Sequence, residues 1–413
     1  MAEIVASSKG IDTHTAFVGR QPIYGRSIDV FAYELLFRNN EVNRASFTDG
    51  NAATAQVMLN TFVEIGLDHI VDHHLAFINL TRDFVLGNYC IALPKDRVVL
   101  EVLENMGVDQ ELIDALNRLS GLGYRIALDD FVYHESLKPL VELADIIKVD
   151  VLELDRKTVA RHVEILRQYP VKLLAEKVET HEEFEFCRDL GFDYFQGYFF
   201  CKPKVISAKP IPANRMAVLA LLTQLQNPTI EISQLERIFQ EDLSLGSQVL
   251  RYINSAFFEI PKQIDSIDQA VYMVGTDRLR MWASLLMLAR IEEKPVELFV
   301  TAIVRARMCE QLALAHHVPD VDQYFTVGLF SILDGLLDQS MDNIIPTLPL
   351  EREIRQALLN RQGPLGMTLD CVLAYERGDW DTVLCHGFEV ETVKAAYLEA
   401  ISWTSYITPL LKS

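Results

Sequence analysis

Positive charge is scarce in this chain. Lysine and arginine number 38 against 58 aspartates and glutamates in 413 residues, for a formal net charge of −20. Such a balance argues against a broad basic face for DNA or an anionic membrane. An anionic ligand is compatible with it only where bound cations or local Lys and Arg reverse the field. Cysteine is sparse too: Cys90, Cys187, Cys201, Cys309, Cys371 and Cys385 are scattered, with no CxxC pair. That excludes a metal-finger spacing and fits a reduced compartment. Long apolar runs are missing; "WASLLMLARI" falls far short of the roughly 18 residues that span a bilayer. The opening "MAEIVASSKGIDTHTAF" lacks the apolar stretch of a signal peptide. No membrane segment and a cytoplasmic location are therefore expected.

What is present divides in two. A chain of this length exceeds one ordinary core, and two domains are expected. In the first half, short apolar runs alternate with helix-like segments: "VFAYELLF" (30–37), "LAFINL" (75–80), "RVVLEVLE" (97–104), "YRIALDDF" (124–131), "DIIKVD" (145–150), "VKLLAEKV" (171–178) and "FDYFQGYFF" (192–200). Between them, "VDQELIDALNRL" sets Val108, Leu112, Leu116 and Leu119 on one helical face. Thr180 and Glu183 stand at capping-box spacing, with Gly191 where that helix should stop. The alternation predicts a mostly parallel sheet buried on both faces. With "AFVGRQPIY" added at the start, the strands suffice for a closed β/α barrel; an open doubly wound sheet is the alternative.

Each apolar run carries a polar residue near its end: Glu34, Asn79, Glu101, Asp129 with Asp130, Lys148, Glu176 and Gln196. A single buried charge is unremarkable if paired, but each one costs several kcal/mol otherwise, on the order of magnitude set by desolvation. Recurrence on strand after strand calls for a shared purpose. In a β/α barrel the strand ends converge on one mouth, where active sites lie. The oxygen-rich set favours hard cations, Mg²⁺, Mn²⁺ or Ca²⁺, over zinc. Its carboxylates outnumber the needs of one hydrated ion, so two metals sharing Asp129 are expected. Such a pair suits phosphodiester cleavage, activating water and stabilising the leaving oxygen.

These motifs resemble the EAL-domain family, phosphodiesterases of the bacterial second messenger cyclic di-GMP. "YELLFR" stands where the E-A-L-x-R signature occurs, with Leu35 in place of alanine; "QPIY", "INL", "LEVLE", "LDDF", "IKVD", "AEKVET" and "FQGYFF" complete the series in order. The resemblance covers about residues 15–205. It implies that Glu34, Asn79, Glu101 and Asp129 hold one Mg²⁺ or Mn²⁺, and that Asp129, Asp130 and Glu176 hold a second. Lys148, Glu176 and Glu34 would be catalytic, with Lys148 orienting or helping to deprotonate the attacking water. Arg38 would pair with a substrate phosphate, as its planar fork suits, and Gln196 would contact the site. Glu104 would steady the loop after the aspartate pair. The implied reaction converts cyclic di-GMP to linear pGpG, and a homodimer through the barrel is implied as well.

Two departures stand out. The family's glycine-rich D-D-F-G-T-G-Y-S-S-L loop reads "DDFVYHESL" here, putting Val132 and Tyr133 where glycine would accept a positive φ. Lys177 replaces a common glycine beside Glu176. A weakly active or silent barrel acting as a cyclic di-GMP receptor or signalling scaffold is therefore the alternative function.

Past the Lys- and Pro-rich "CKPKVISAKPIPANR" (201–215) the pattern turns helical, and the domain boundary is expected at 205/206. "LSLGSQVLRYINSAFF" lines up Leu245, Val249, Ile253 and Phe257. "VLRYINSAFF" followed by "IDSIDQAVYMVGTDRLR" resembles the HDOD family, helical domains related to metal-dependent HD phosphohydrolases. Ser331 and Ile332 stand where the HD pair would hold metal, so residues 206–413 are expected to regulate or dock an unidentified protein partner rather than catalyse. His73–His74, His316–His317 and Cys385–His386 have no supporting constellation and are read as surface or helix-end residues.

Overall fold

A computed structural model of the chain describes residues 16–39, 66–87, 93–103, 106–199, 201, 213–227, 230–254, 263–291, 294–385 and 387–412. In the first half, β1 (Ala16–Tyr24), β2 (Val30–Asn39), β3 (Leu75–Leu80), β4 (Val98–Val102), β5 (Arg125–Leu128), β6 (Ile146–Asp150), β7 (Lys172–Glu176) and β8 (Tyr194–Gln196) close a barrel in sequence order. The strands β2 to β8 are parallel. The first is not: β1 pairs antiparallel with both β2 and β8. A tight connection from Gly25 to Asp29 turns β1 directly into β2, leaving no room for the crossover that parallel pairing needs.

The helices α1 (Leu67–Val71), α2 (Arg82–Val85), α3 (Gln110–Gly121), α4 (Lys138–Val141), α5 (Arg156–Leu166) and α6 (His181–Leu190) connect the parallel strands. In α6 the expected capping box joins Thr180 and Glu183, and Gly191 closes the helix in the left-handed region at φ 98°. In α3, Leu112, Leu116 and Leu119 are buried, but Val108 is 41% exposed because the helix starts only at Gln110, capped by Asp109.

The barrel interior is layered by strand periodicity. An apolar plug of Ile23, Ala32, Phe77, Val99, Ala127, Ile146 and Leu174 fills its lower part. Two residues further along each parallel strand, side chains on the same face are Glu34, Asn79, Glu101, Asp129, Lys148 and Glu176; Gln196 follows Tyr194 in the same way. In the reversed β1 the equivalent step from Ile23 runs backwards, to Gln21. One turn of the pleat therefore converts a plug into a polar floor.

Among the described residues the regular structure of the second half is helical: α7 (Ala213–Leu225), α8 (Ile232–Glu241), α9 (Leu243–Ile253), α10 (Ile267–Val274), α11 (Thr276–Ala289), α12 (Val296–Ala315), α13 (Val321–Phe330) and α14 (Leu333–Leu337) precede α15 (Met341–Ile344), α16 (Arg352–Asn360), α17 (Gly363–Glu376), α18 (Trp380–Cys385) and α19 (Val390–Lys412). Leu245, Val249 and Ile253 are buried on one face of α9; Phe257 lies outside the described residues. The helices α17 and α19 pack on β1. Tyr375 Oη donates to the Val18 carbonyl at 2.8 Å, Arg20 N donates to Tyr397 Oη at 3.1 Å, and Tyr33 Oη donates to Glu297 Oε1 at 3.1 Å. Among the described residues no helix is long and apolar enough to cross a membrane.

Candidate active site in the barrel mouth

The polar layer converges on the ammonium of Lys148, itself 1% exposed. Its Nζ lies 2.6 Å from Glu101 Oε1, 2.7 Å from Asp129 Oδ1, 2.8 Å from Glu176 Oε1 and 3.5 Å from Glu34 Oε2. Glu34 is further held by Asn79 Nδ2 at 3.1 Å and by Gln196 Nε2 at 2.7 Å, and Gln196 Nε2 also reaches Gln21 Oε1 at 3.2 Å. Four carboxylates thus surround one cation, all five side chains being largely buried.

Electrostatics follow from that ratio. Burial would push Glu34 up, but Lys148 and the amide donors of Gln196 and Asn79 outweigh it and hold its carboxyl below the ordinary value. Burial pushes Glu101 well above the ordinary value; the charge of Glu34 and Asp129 adds to it and Lys148 offsets only part. Asp129 is raised by burial and by Glu34 in spite of Lys148. Burial raises Glu176 to about 8, again only partly countered by Lys148. Desolvation would lower Lys148, yet the surrounding carboxylates lift it well above its ordinary value. The layer holds more acid than its own cation can ionise.

The aspartate pair is pinned between strands. Asp129 N donates to Val102 O on one side, and Phe131 N donates to Lys148 O on the other, each at 3.0 Å. Val132 and Tyr133, which stand where the family has glycine, keep a negative φ; in this stretch the positive φ falls on Asp130, at 42°. Aspartate tolerates that region better than a β-branched or aromatic residue, so the shortened loop closes without glycine. Lys177 also sits in the left-handed region, at φ 55°. Its Nζ donates to Asp150 Oδ2 and lies 3.6 Å from Asp130 Oδ1. Asp150 in turn accepts from Leu152 N at 2.8 Å and Glu153 N at 3.0 Å, tying the lysine to the turn that follows β6.

The donor set suits a hard cation. Asn79 Oδ1, Glu101 Oε2 and Glu176 Oε2 are buried acceptors with no hydrogen-bond partner, as is Thr81 Oγ1 just beyond β3. Buried oxygens left unpaired in this way are costly unless something else binds them. Their present arrangement is centred on Lys148: among the described residues, no group of three or more His, Cys, Asp or Glu side chains is arranged to hold a metal ion. The expected members Glu34, Asn79, Glu101, Asp129, Lys148, Glu176 and Gln196 are brought together. Asp130 stands at the rim and is exposed, next to Lys177. Arg38 belongs to β2, but its side chain lies outside the described residues, as does Glu104 altogether.

Above the layer opens a cavity of about 650 Å³, lined by Glu34, Asn79, Asp129, Asp130, Glu176 and Lys177, and by Arg377, Gly378 and Trp380 of the helical half. That volume is in the range of small-molecule sites. Gln21, Asp150 and the α17–α18 turn were not among the expected site residues. The reversal of β1 hides Gln21, since its position is two before the plug residue rather than two after. Nothing local marks the turn, which reaches the barrel only through tertiary packing.

In the second half, Ser331 caps α13, its Oγ donating to Gly328 O at 2.7 Å, while Arg305 Nη1 donates to that Oγ at 3.3 Å. Ile332 is fully buried. Where the HD pair would stand, an arginine already faces the serine.

A closed barrel with an acid-rich floor, joined to a bundle of helices, defines the architecture. The EAL domain model matches residues 21–203 and the HDOD domain model residues 211–337. The chain is 32% identical over 407 residues to "Cyclic di-GMP phosphodiesterase CdgJ" of Vibrio cholerae serotype O1, covering 96% of this chain and 94% of that one. It is 33% identical over 404 residues to "Uncharacterized protein YuxH" of Bacillus subtilis, covering 94% and 97% respectively. Among solved structures, the Bacillus subtilis YkuI protein with an EAL domain, in complex with substrate c-di-GMP and calcium, matches at TM-score 0.40 and 16% identity, over 63% of this chain and 72% of that one. The chain belongs to the family of EAL-domain proteins fused to an HDOD domain.

Proposed function

We propose that this protein hydrolyses one phosphodiester bond of cyclic di-GMP, giving linear pGpG, with Mg²⁺ or Mn²⁺ bound in the barrel mouth. The observation that carries this reading is the surplus of buried carboxylates around Lys148. Family membership and the name of the Vibrio relative support the substrate. Glu34, Asn79, Glu101 and Asp129 would hold one ion, and Asp129, Asp130 and Glu176 a second. Bound cations would supply activation of water and stabilisation of the leaving oxygen. Lys148 would orient the water and hold a proton near it, with Glu34 and Glu176 fixing the ammonium. Gln196, linked to both Glu34 and Gln21, would set the position of Glu34. Arg38 would pair with a substrate phosphate and Glu104 would steady the loop after Asp130.

Lys177 favours a second reading. Its ammonium beside Asp130 competes for a ligand of the second ion, so a receptor that binds the nucleotide with little turnover is the alternative. In either case we assign residues 1–205 to the barrel domain and 206–413 to a non-catalytic helical domain for a protein partner. We also propose that the protein works in the cytoplasm, binds no DNA, and pairs with a second copy through the barrel.

Turnover of cyclic di-GMP by the full chain in Mn²⁺ tests the reading, beside Glu101→Gln. The wild type is expected to release pGpG and the variant to lose at least about 100-fold, the scale of losing a major transition-state contact. Wild-type binding without pGpG would select the receptor. Absence of both would remove the assignment.

A further inference from the structure

A dianionic dinucleotide must enter a mouth whose floor is acidic, which raises the question of which cations face it there. Lys148 is committed to four carboxylates. Lys177 is committed to Asp150 and Asp130. The remaining described cation lining the cavity is Arg377, which comes from the helical half. It is exposed and, among the described residues, makes no ion pair.

The position of Arg377 is fixed by its surroundings. The carbonyl of Glu376, one residue before it, accepts from Tyr198 Oη at 2.8 Å and from Gln21 Nε2 at 3.4 Å. Gln21 is the neighbour of Gln196, which holds Glu34. The carboxylate of Glu376 is turned away, bonded twice to Arg305 at 2.7 and 2.8 Å, and so is not available to the adjacent Arg377. Gly378 follows at φ 71°, where an added Cβ would come 3.1 Å from Leu36 Cδ1. Trp380 then seats the turn against β1, so closely that a Cβ at Gly19 would lie 3.2 Å from its ring. The turn is held at the cavity by the Glu376 carbonyl on one side and by the packed Trp380 ring on the other.

We propose that Arg377 is a ligand-binding residue of the barrel mouth, supplied by the helical domain, whose guanidinium pairs with a phosphate oxygen of the bound dinucleotide. The inference rests on the functional reading above and adds the residue that brings the second domain into substrate recognition. A planar fork with unused donors suits a phosphate. Because the guanidinium stands at the rim and not at the buried floor, it acts on binding more than on the chemical step.

The test uses the full chain, since the helical half covers β1. Equilibrium dialysis with labelled cyclic di-GMP and steady-state turnover in Mn²⁺ are compared for wild type, Arg377→Ala and Arg377→Lys. Arg377→Ala is expected to weaken binding and raise KM by about tenfold, as for loss of a charge-assisted contact, with kcat within about twofold. The salt dependence of binding should fall in the same variant, and Arg377→Lys should recover part of the loss. As an exposed residue, Arg377 should leave the melting curve unchanged. A wild type that binds while Arg377→Ala binds equally well overturns this assignment and leaves the functional reading intact. A wild type that binds no cyclic di-GMP overturns both.

Discussion

Both halves of the molecule bury charge, but they do so in different proportions. In the helical half, buried cations and acids stand in near-equal number: Arg305 pairs with Glu376, Arg307 with Glu310 at 2.6 Å and Glu399 at 2.5 Å, and Arg215 at 2.5 Å and Lys294 at 2.6 Å share Asp338. In the barrel, one lysine serves four carboxylates, and several acid oxygens remain without partners. Matched pairs of this kind hold helices in register, and they are complete as they stand. An unmatched set is complete only with protons or with added cations. The contrast sets matched buried charge beside unmatched buried charge within one chain.

Charge removal should expose that difference first. Arg305→Met leaves Glu376 without its clamp and is expected to destabilise the protein by about 3 kcal/mol in chemical denaturation, the scale of breaking a buried pair. Lys148→Met should also weaken the metal-free protein, because the four carboxyl groups lose the buried cation they all contact. Added Mn²⁺ should restore the second variant and not the first. Equal rescue of both, or of neither, would erase the distinction.

A smaller effect is expected with pH. The folded-state value of Glu176 is raised to about 8 from an ordinary 4.5, so the folded protein keeps a proton that the unfolded chain releases. The stability of the metal-free protein should therefore fall as pH rises from about 4.5 to 8, with Glu101 and Asp129, also raised, acting in the same direction. Glu176→Gln should make that slope shallower. An unchanged slope would show that the carboxylate is not held neutral.

The smallest change is expected at a matched site. Asp242 caps α9 through Leu245 N at 2.9 Å and pairs with Arg290. Asp242→Ala should cost about 1 kcal/mol, typical of a lost cap, with no dependence on divalent ions. A metal-dependent loss there would contradict the division drawn above.

Much of the barrel could be read from the sequence because one rule generated it. A polar residue two positions past a plug residue on successive parallel strands is a local signal, and Glu34, Asn79, Glu101, Asp129, Lys148, Glu176 and Gln196 all obey it. Gln21 obeys it in reverse, and the antiparallel pairing of β1 with both neighbours is what a strand-by-strand reading of a parallel barrel does not supply. Backbone conformation was legible only in part: Val132 and Tyr133 showed where glycine is missing, but not that Asp130 would take the positive φ its side chain tolerates. Arg377 and Trp380 carry no local mark of their place at the cavity, since they meet the barrel across long stretches of chain, 178 residues from Tyr198 to Glu376 and 355 from Gln21 to Glu376. The remote contacts, not the motifs, make the two domains share one mouth.

The central claim is that the unmatched acid of the barrel is there to receive hard cations. Calorimetric titration of the metal-free full chain with Mn²⁺ near pH 7, repeated in buffers of different ionisation enthalpy, addresses it directly. Saturable binding is predicted, accompanied by proton release to the buffer as the ion displaces protons from carboxyls held neutral, and lost in Glu101→Gln. Binding that is absent in the wild type, or equally strong without proton release in the variant, would contradict it.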